Sequence, residues 1–177
     1  MPRLRLSRDS CPFIDLRLMT HNNVVDLAAE GLDFAIRFGD GNWPGLQAEA
    51  LMDAPLCVLC APAVAARVRR PQDLAHETLL RSYRAEDWPG WFAAAGGDCP
   101  AIRGPVFDSS RLMVEAAVQG AGVALAPASM FERELQEGRL VRPLGISVAT
   151  GSYWLTRLRS RPVSPAMALF RDWLFAQ

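Results

Sequence analysis

The chain contains no lysine. Its nineteen basic residues are all arginine and are matched by nineteen aspartates and glutamates, for a formal net charge of +0. That balance leaves no surplus of positive charge of the kind that carries a protein onto nucleic acid, so no basic DNA-binding surface is expected. Long apolar runs are missing as well. Nowhere do about 18 apolar residues follow one another, and Met1 leads into Pro-Arg-Leu-Arg, so neither a membrane span nor a signal peptide is read and a cytoplasmic location is expected. Histidine is scarce, with His21 and His76 alone. Cysteine is scattered over positions 11, 57, 60 and 99, in a chain too long to need a disulfide framework, so reduced thiols are expected.

These scarcities bear on chemistry. Cys57 and Cys60 form a C-x-x-C, but it lies inside the apolar run Pro55-Leu-Cys-Val-Leu-Cys-Ala, and no second pair or nearby histidine completes a tetrahedral set. No metal and no cofactor are therefore assigned. His21, Asp108 and Ser109 invite a hydrolase reading, yet that chemistry needs a nucleophile on a strained turn, and no Gly-x-Ser-x-Gly is present. The chain is read as a non-enzyme with no catalytic residue.

What is present is a chain of 177 residues, half of them hydrophobic, which suffices for one globular core or two small lobes. Ile14, Leu16 and Leu18 alternate with polar or flexible neighbours, as in a strand, after what reads as a helix tail at residues 2–9. A polar turn at Thr20-His-Asn-Asn then leads to a short helix, Val24 to Glu30, closed by Gly31. Leu32 to Phe38 reads as a second strand, and the glycine- and proline-rich stretch 39–45 as a loop.

The same grammar restarts afterwards. Leu56 to Cys60 is read as a strand, Pro62 to Arg69 and Pro71 to Leu74 as short helices, Thr78 to Tyr83 as a strand, and Trp88, Trp91 and Phe92 as a helix face packed into the core. Asp108, Ser109 and Ser110 suit the N-cap of a helix from Arg111 to Gln119. A buried strand at 122–127, a helix from Ser129 to Glu137 and strands at 139–143 and 152–160 follow. Ser164-Pro165 opens a terminal helix through Phe175. The Arg67, Arg69 and Arg70 cluster is taken as a solvated helix end. Alternation of this kind gives an α/β chain with mainly parallel sheets.

Several stretches carry a resemblance. Thr20 to Gly39, Gln119-Gly-Ala-Gly-Val-Ala-Leu-Ala-Pro and the helix after Asp108-Ser-Ser resemble the effector-binding domain of LysR-type transcriptional regulators, over nearly the whole chain. His21-Asn-Asn, Leu79-Leu-Arg-Ser-Tyr-Arg, Val106-Phe-Asp-Ser-Ser and Gly151-Ser-Tyr-Trp-Leu-Thr-Arg-Leu are similar to the AmpR branch, cytosolic activators that induce beta-lactamase in response to muropeptides. Gly41-Asn-Trp-Pro-Gly-Leu is closer to the sister branch of glycine-cleavage activators.

The resemblance implies a periplasmic-binding-protein-like fold of type 2, with residues 1–52 and 154–177 in one lobe, residues 53–153 in the other, two crossovers and the ligand between the lobes. It implies a small-molecule effector, a muropeptide or UDP-linked cell-wall peptide, and a homodimer or higher oligomer built through the regulatory lobes. Family members contact DNA through a helix-turn-helix domain, which is not recognised in this chain, and their first regulatory strand with its ligand-facing threonine is not recognised either. A truncated member, binding weakly or existing as a nonfunctional remnant, is therefore an expectation beside the regulatory one.

Among site residues, Ser109 and Ser110 suit helix capping by type alone, and Tyr153 suits packing in a strand. The resemblance makes Ser110, Tyr153 and Ser109 effector contacts. Asp26, by type a cap or a solvated charge, is implied to influence the switch between repressing and activating states.

Overall fold

The structure, a computed structural model, describes residues 13–20 and 25–176. It divides into two compact units, Met1–Leu51 with Tyr153–Gln177, and Met52–Ser152. The helix tail read at residues 2–9 lies outside the described residues.

The second unit is built on β3 (Leu56–Cys60), whose five residues are all buried. Because side chains alternate across a strand, this run feeds two cores at once. Val58 and Cys60 join Trp88, Trp91 and Phe92 of the helix α2 (Asp87–Ala94), while Cys57 and Leu59 join Met113, Val114 and Ala117 of α3 (Ser110–Val118). β6 (Val123–Pro127) is split the same way, with Val123 and Leu125 on the first face and Ala124 and Ala126 on the second. A helix on each face explains why both strands read as unbroken apolar runs.

β3 pairs antiparallel with β6, Leu56 opposite Pro127 and Cys60 opposite Val123, and antiparallel with β7 (Ser147–Val148). The sheet is therefore mixed, with β3 running against its neighbours. Alternating helices and strands give the order of elements, but a connection as long as the one from β3 to β6 permits either direction. Parallel pairing does hold between β4 (Arg81–Ser82) and β5 (Val106–Phe107), and at the bridge between Leu79 and Val123. β6, the strand segment 78–82 and β5 therefore all run the same way. Gly104 is what lets β5 approach, since a Cβ there would stand 1.8 Å from the Leu79 carbonyl oxygen.

The remaining elements of this unit are short. α1 (Pro62–Ala65) is shorter than the helix expected through Arg69, the short helix expected from Pro71 is a 3-10 turn, Pro71–His76, and a second 3-10 turn, Ala128–Met130, precedes α4 (Glu132–Gln136). The strand read at 139–143 is reduced to one bridge, Val141 with Cys60.

The first unit holds a three-stranded sheet in the order β1 (Ala35–Gly39), β8 (Ser152–Leu158), β2 (Leu46–Asp53). β2 was not read from the sequence, because Leu46-Gln-Ala-Glu-Ala-Leu-Met-Asp has weak alternation and no β-branched residue. The terminal helix α5 (Pro165–Phe175) has the expected cap, the Ser164 side chain accepting from the Met167 N–H at 3.2 Å. Residues 14–19 form no strand, and Phe13, Leu18 and Met19 are exposed. Their period of two is intact, but no ladder partner among the described residues uses it. The helix expected from Val24 to Glu30 is a single turn. Its C-terminus is a complete Schellman motif, with Leu32 N–H donating to the Leu27 carbonyl, Gly31 N–H to that of Ala28, and Gly31 at φ +63.

Candidate functional site

β4 and β5 are parallel neighbours, so their C-terminal ends lie on one edge of the sheet, the position where α/β proteins bind ligands. Ser82 stands opposite Phe107, which puts Tyr83 beside Asp108, just ahead of Ser109 and Ser110. β6 runs parallel to the segment before β4, so its C-terminus points to this edge too. β3 runs the other way and begins there. Ser152 Oγ donates to Asp53 Oδ1 at 2.9 Å, holding together the two segments through which the chain enters and leaves this unit.

Ser109 occupies the N-cap of α3 with extended backbone, yet its side chain makes no capping bond. The capping account of this serine is therefore corrected. Its hydroxyl is not used by the helix, and Ser110, the first residue of α3, is half-buried beside it. Unsatisfied N–H groups at a helix start favour anionic and carbonyl groups.

Tyr153 lies in β8 of the other unit, half-buried, with its ring edge-on to Phe38 at 5.4 Å between centroids. Packing accounts for the ring. Asp26 is exposed and caps the turn before Gly31, its Oδ1 accepting from the Ala28 and Ala29 N–H groups at 2.9 and 3.2 Å. Its visible work is thus capping.

Sequence reading missed the cluster that follows β4. Asp87 opens α2 and is only 6% exposed. Its carboxylate accepts from Ser82 Oγ at 2.7 Å and from Arg84 Nε at 3.0 and 3.1 Å. Arg84 in turn lies over the Tyr83 ring, 5.9 Å from its centroid, while Tyr83 is 66% exposed. A buried carboxylate holds its charge only when paired and hydrogen-bonded in this way. The spacing Ser82-x-Arg84-x-x-Asp87 was the available signal.

The other candidates resolve simply. Cys57 and Cys60 are free and buried on opposite faces of β3, and burial pushes both thiols up, Cys60 to about 11. Thiols so placed are inert as nucleophiles and ligands at neutral pH. Among the described residues no group of His, Cys, Asp and Glu could hold a metal ion. His21 lies outside the described residues. Trp88, Trp91 and Phe92 are core, at most 3% exposed. Arg67 and Arg70 are not merely solvated, since Arg67 makes a two-point contact with Glu77 and Arg70 pairs with Asp73. A recess of about 370 Å³ lined by Pro62, Ala66, Val68, Arg69, Val141 and Pro143 lies on different elements from the serines. No helix among the described residues is long and apolar enough to cross a membrane.

Comparison with known proteins places this geometry. The transcriptional activator AmpR of Citrobacter koseri is 59% identical over 174 residues, 98% of this chain and 61% of that protein. The chain thus spans about three fifths of the length of that relative. The crystal structure of the effector domain of AmpR from Pseudomonas aeruginosa matches with a TM-score of 0.92 and 60% identity, over 99% of this chain and 86% of that one. A Citrobacter freundii effector binding domain, with a TM-score of 0.93 and 44% identity over 99% of this chain and 89% of that one, carries three substitutions: threonine to valine, serine to alanine and tyrosine to phenylalanine. Each removes a hydroxyl. The serine and tyrosine replaced there are separated by the same interval as Ser110 and Tyr153 here. The periplasmic-binding-protein-like fold of type 2 is that of these neighbours, and the relatives are transcriptional regulators rather than enzymes. The model of the LysR substrate binding domain matches residues 1–177, and the chain belongs to that family.

Proposed function

We infer that this chain is the ligand-sensing part of a cytoplasmic AmpR-type regulator of beta-lactamase expression, and that its effector is a peptidoglycan-derived muropeptide or UDP-linked cell-wall peptide. The observation that carries the reading is the pair of hydroxyl residues, Ser110 and Tyr153, at the interval at which a serine and a tyrosine were stripped of their hydroxyls in the C. freundii domain. The unused Ser109 hydroxyl and the N-terminus of α3 supply further polar groups suited to the carboxylates and amides of such a peptide. Asp26 is proposed to bias the switch through the turn it caps. Self-association through the regulatory units and DNA contact through a helix-turn-helix domain complete the proposal. Exposed Leu112 of α3 and Ile36 of β1 are apolar groups available to a second copy.

The test is titration calorimetry of the chain with a UDP-N-acetylmuramyl pentapeptide. Ser110→Ala and Tyr153→Phe are each expected to weaken binding by about ten- to a hundredfold, the consequence of one lost hydrogen-bond partner. Unchanged binding by both variants would overturn the assignment of these residues.

A further inference from the structure

We propose that Tyr83 is the residue that recognises the sugar of the effector, by stacking its ring on the carbohydrate face. This rests on the proposed effector site at Ser110. Three observations support it. The parallel pairing of β4 with β5 brings Tyr83, the residue after β4, and Ser109 and Ser110, which follow β5, to the same edge of the sheet. Tyr83 is the most exposed of the large hydrophobic side chains among the described residues of this unit, at 66%. It is also held in place: Arg84 lies over its ring, and Arg84 is fixed by the buried carboxylate of Asp87, which Ser82 secures from the other side.

The chemistry selects the ligand group. Arg84 and Asp87 neutralise one another, so the loop offers a flat, uncharged aromatic surface with one polar tip. Such a surface suits the C–H face of a sugar and gives a carboxylate nothing to pair with. The start of α3, with its N–H groups and two serines, suits the peptide end of the same molecule. The edge thereby divides the effector, with the sugar on Tyr83 and the peptide on Ser109 and Ser110. Pre-ordering by the Asp87 cluster lowers the entropy lost when the ring is immobilised on binding.

The experiment compares two probes, UDP-N-acetylmuramyl pentapeptide and the free pentapeptide, on the unaltered chain, Tyr83→Ala, Tyr83→Phe and Ser110→Ala. Tyr83→Ala should weaken the sugar-bearing probe by several-fold to about tenfold and leave the free peptide unchanged, while Tyr83→Phe keeps the affinity. Tyr83→Ala binding the sugar-bearing probe as the unaltered chain does, with Ser110→Ala impaired, overturns the inference alone. Equal weakening of both probes also overturns it. If Ser110→Ala binds as the unaltered chain does, the site itself is wrong. A second readout needs no change at position 83. The chain has two tyrosines, so the labelled-tyrosine ring signals that persist in Tyr153→Phe identify those of Tyr83, which are then followed in the unaltered chain. They should shift with the sugar-bearing probe and stay in place with the free peptide; signals that ignore both probes refute the contact.

Discussion

The two units of this chain are held together by different physics. In Met52–Ser152 the strands β3 and β6 are buried along their whole length, and each face carries a helix that contributes large side chains. In the other unit, Leu27, Leu46, Leu155 and Met167 are the buried apolar side chains among the described residues, and the strands are half-exposed. Arginine and tryptophan contacts tie that unit in place of a large core, whereas in Met52–Ser152 ion pairs such as Arg67–Glu77 and Arg84–Asp87 come on top of one. Arg171 grips Glu49, Arg161 pairs with Asp33, Arg159 Nε donates to the Leu46 carbonyl, and Trp154 Nε1 donates to that of Gly39. Apolar packing has no charge to screen or titrate, whereas exposed ion pairs weaken with both salt and acid. The difference therefore predicts two stabilities that respond to different perturbations.

The largest separation should come from a hole in the double core. Leu59 of β3 is 0% exposed, and Leu59→Ala is expected to cost about 2–5 kcal/mol, all of it in the unit that contains it. Alkylation reports it: Cys57 and Cys60 are buried, with thiols pushed up by loss of water, so iodoacetamide reaches them only when the double core opens. Their labelling should accelerate in Leu59→Ala while amide exchange in α5 holds its rate. Equal acceleration in both places would mean the units unfold as one.

Acid weakens ion pairs in both units, and in the sparsely buried one it acts where little apolar core compensates. The Arg171 guanidinium, hydrogen-bonded to Glu49, holds that carboxyl below the usual carboxylate range. The pair therefore stabilises the fold above about pH 4.3, where the unfolded chain's glutamate is ionised. That stability fades as pH falls from there through the lowered folded value. Glu49→Gln should be less stable than the parent at neutral pH, and the gap should close on acidification. Thermal melts between pH 7 and 3 followed by exchange in α5 check this, and a gap independent of pH would assign the loss to packing.

The contrast also explains which parts of the fold were legible. β3 was read as it stands because burial on both faces leaves an unbroken apolar run with turn residues at each end. α3 and α5 carry serines at their N-caps, and α5 a proline at its first position, and both were read to within a residue or two. In the sparsely buried unit the signal fails. β2 is stabilised by pairing with β8 and by arginine contacts, which leave no periodicity, and the alternation at residues 14–18 goes unpaired. At the candidate site, Ser110 and Tyr153 were named through family resemblance, whereas Tyr83 and Asp87 went unnoticed. Their significance lies in a strand register that sequence spacing does not show.

The finest test lies inside the double core itself. Trp88 and Trp91 are both buried in α2 and meet edge to face, with centroids 6.2 Å apart. Trp88 Nε1 donates to the Leu80 carbonyl at 2.9 Å, whereas Trp91 Nε1 is buried with no hydrogen-bond partner. Replacing either by phenylalanine removes similar apolar volume, so the cavity costs nearly cancel in the comparison. What differs is the polar atom. Trp88→Phe gives up a hydrogen bond, with a net loss of about 1 kcal/mol, while Trp91→Phe sheds a donor that was already paying for its burial. Trp91→Phe should therefore be the more stable variant by about 1 kcal/mol or more, measured as a difference in urea midpoint at constant slope. A reversed order would show that the Trp91 donor finds a partner in solution, an ordered water being the obvious one, and that this core is less dry than its packing implies.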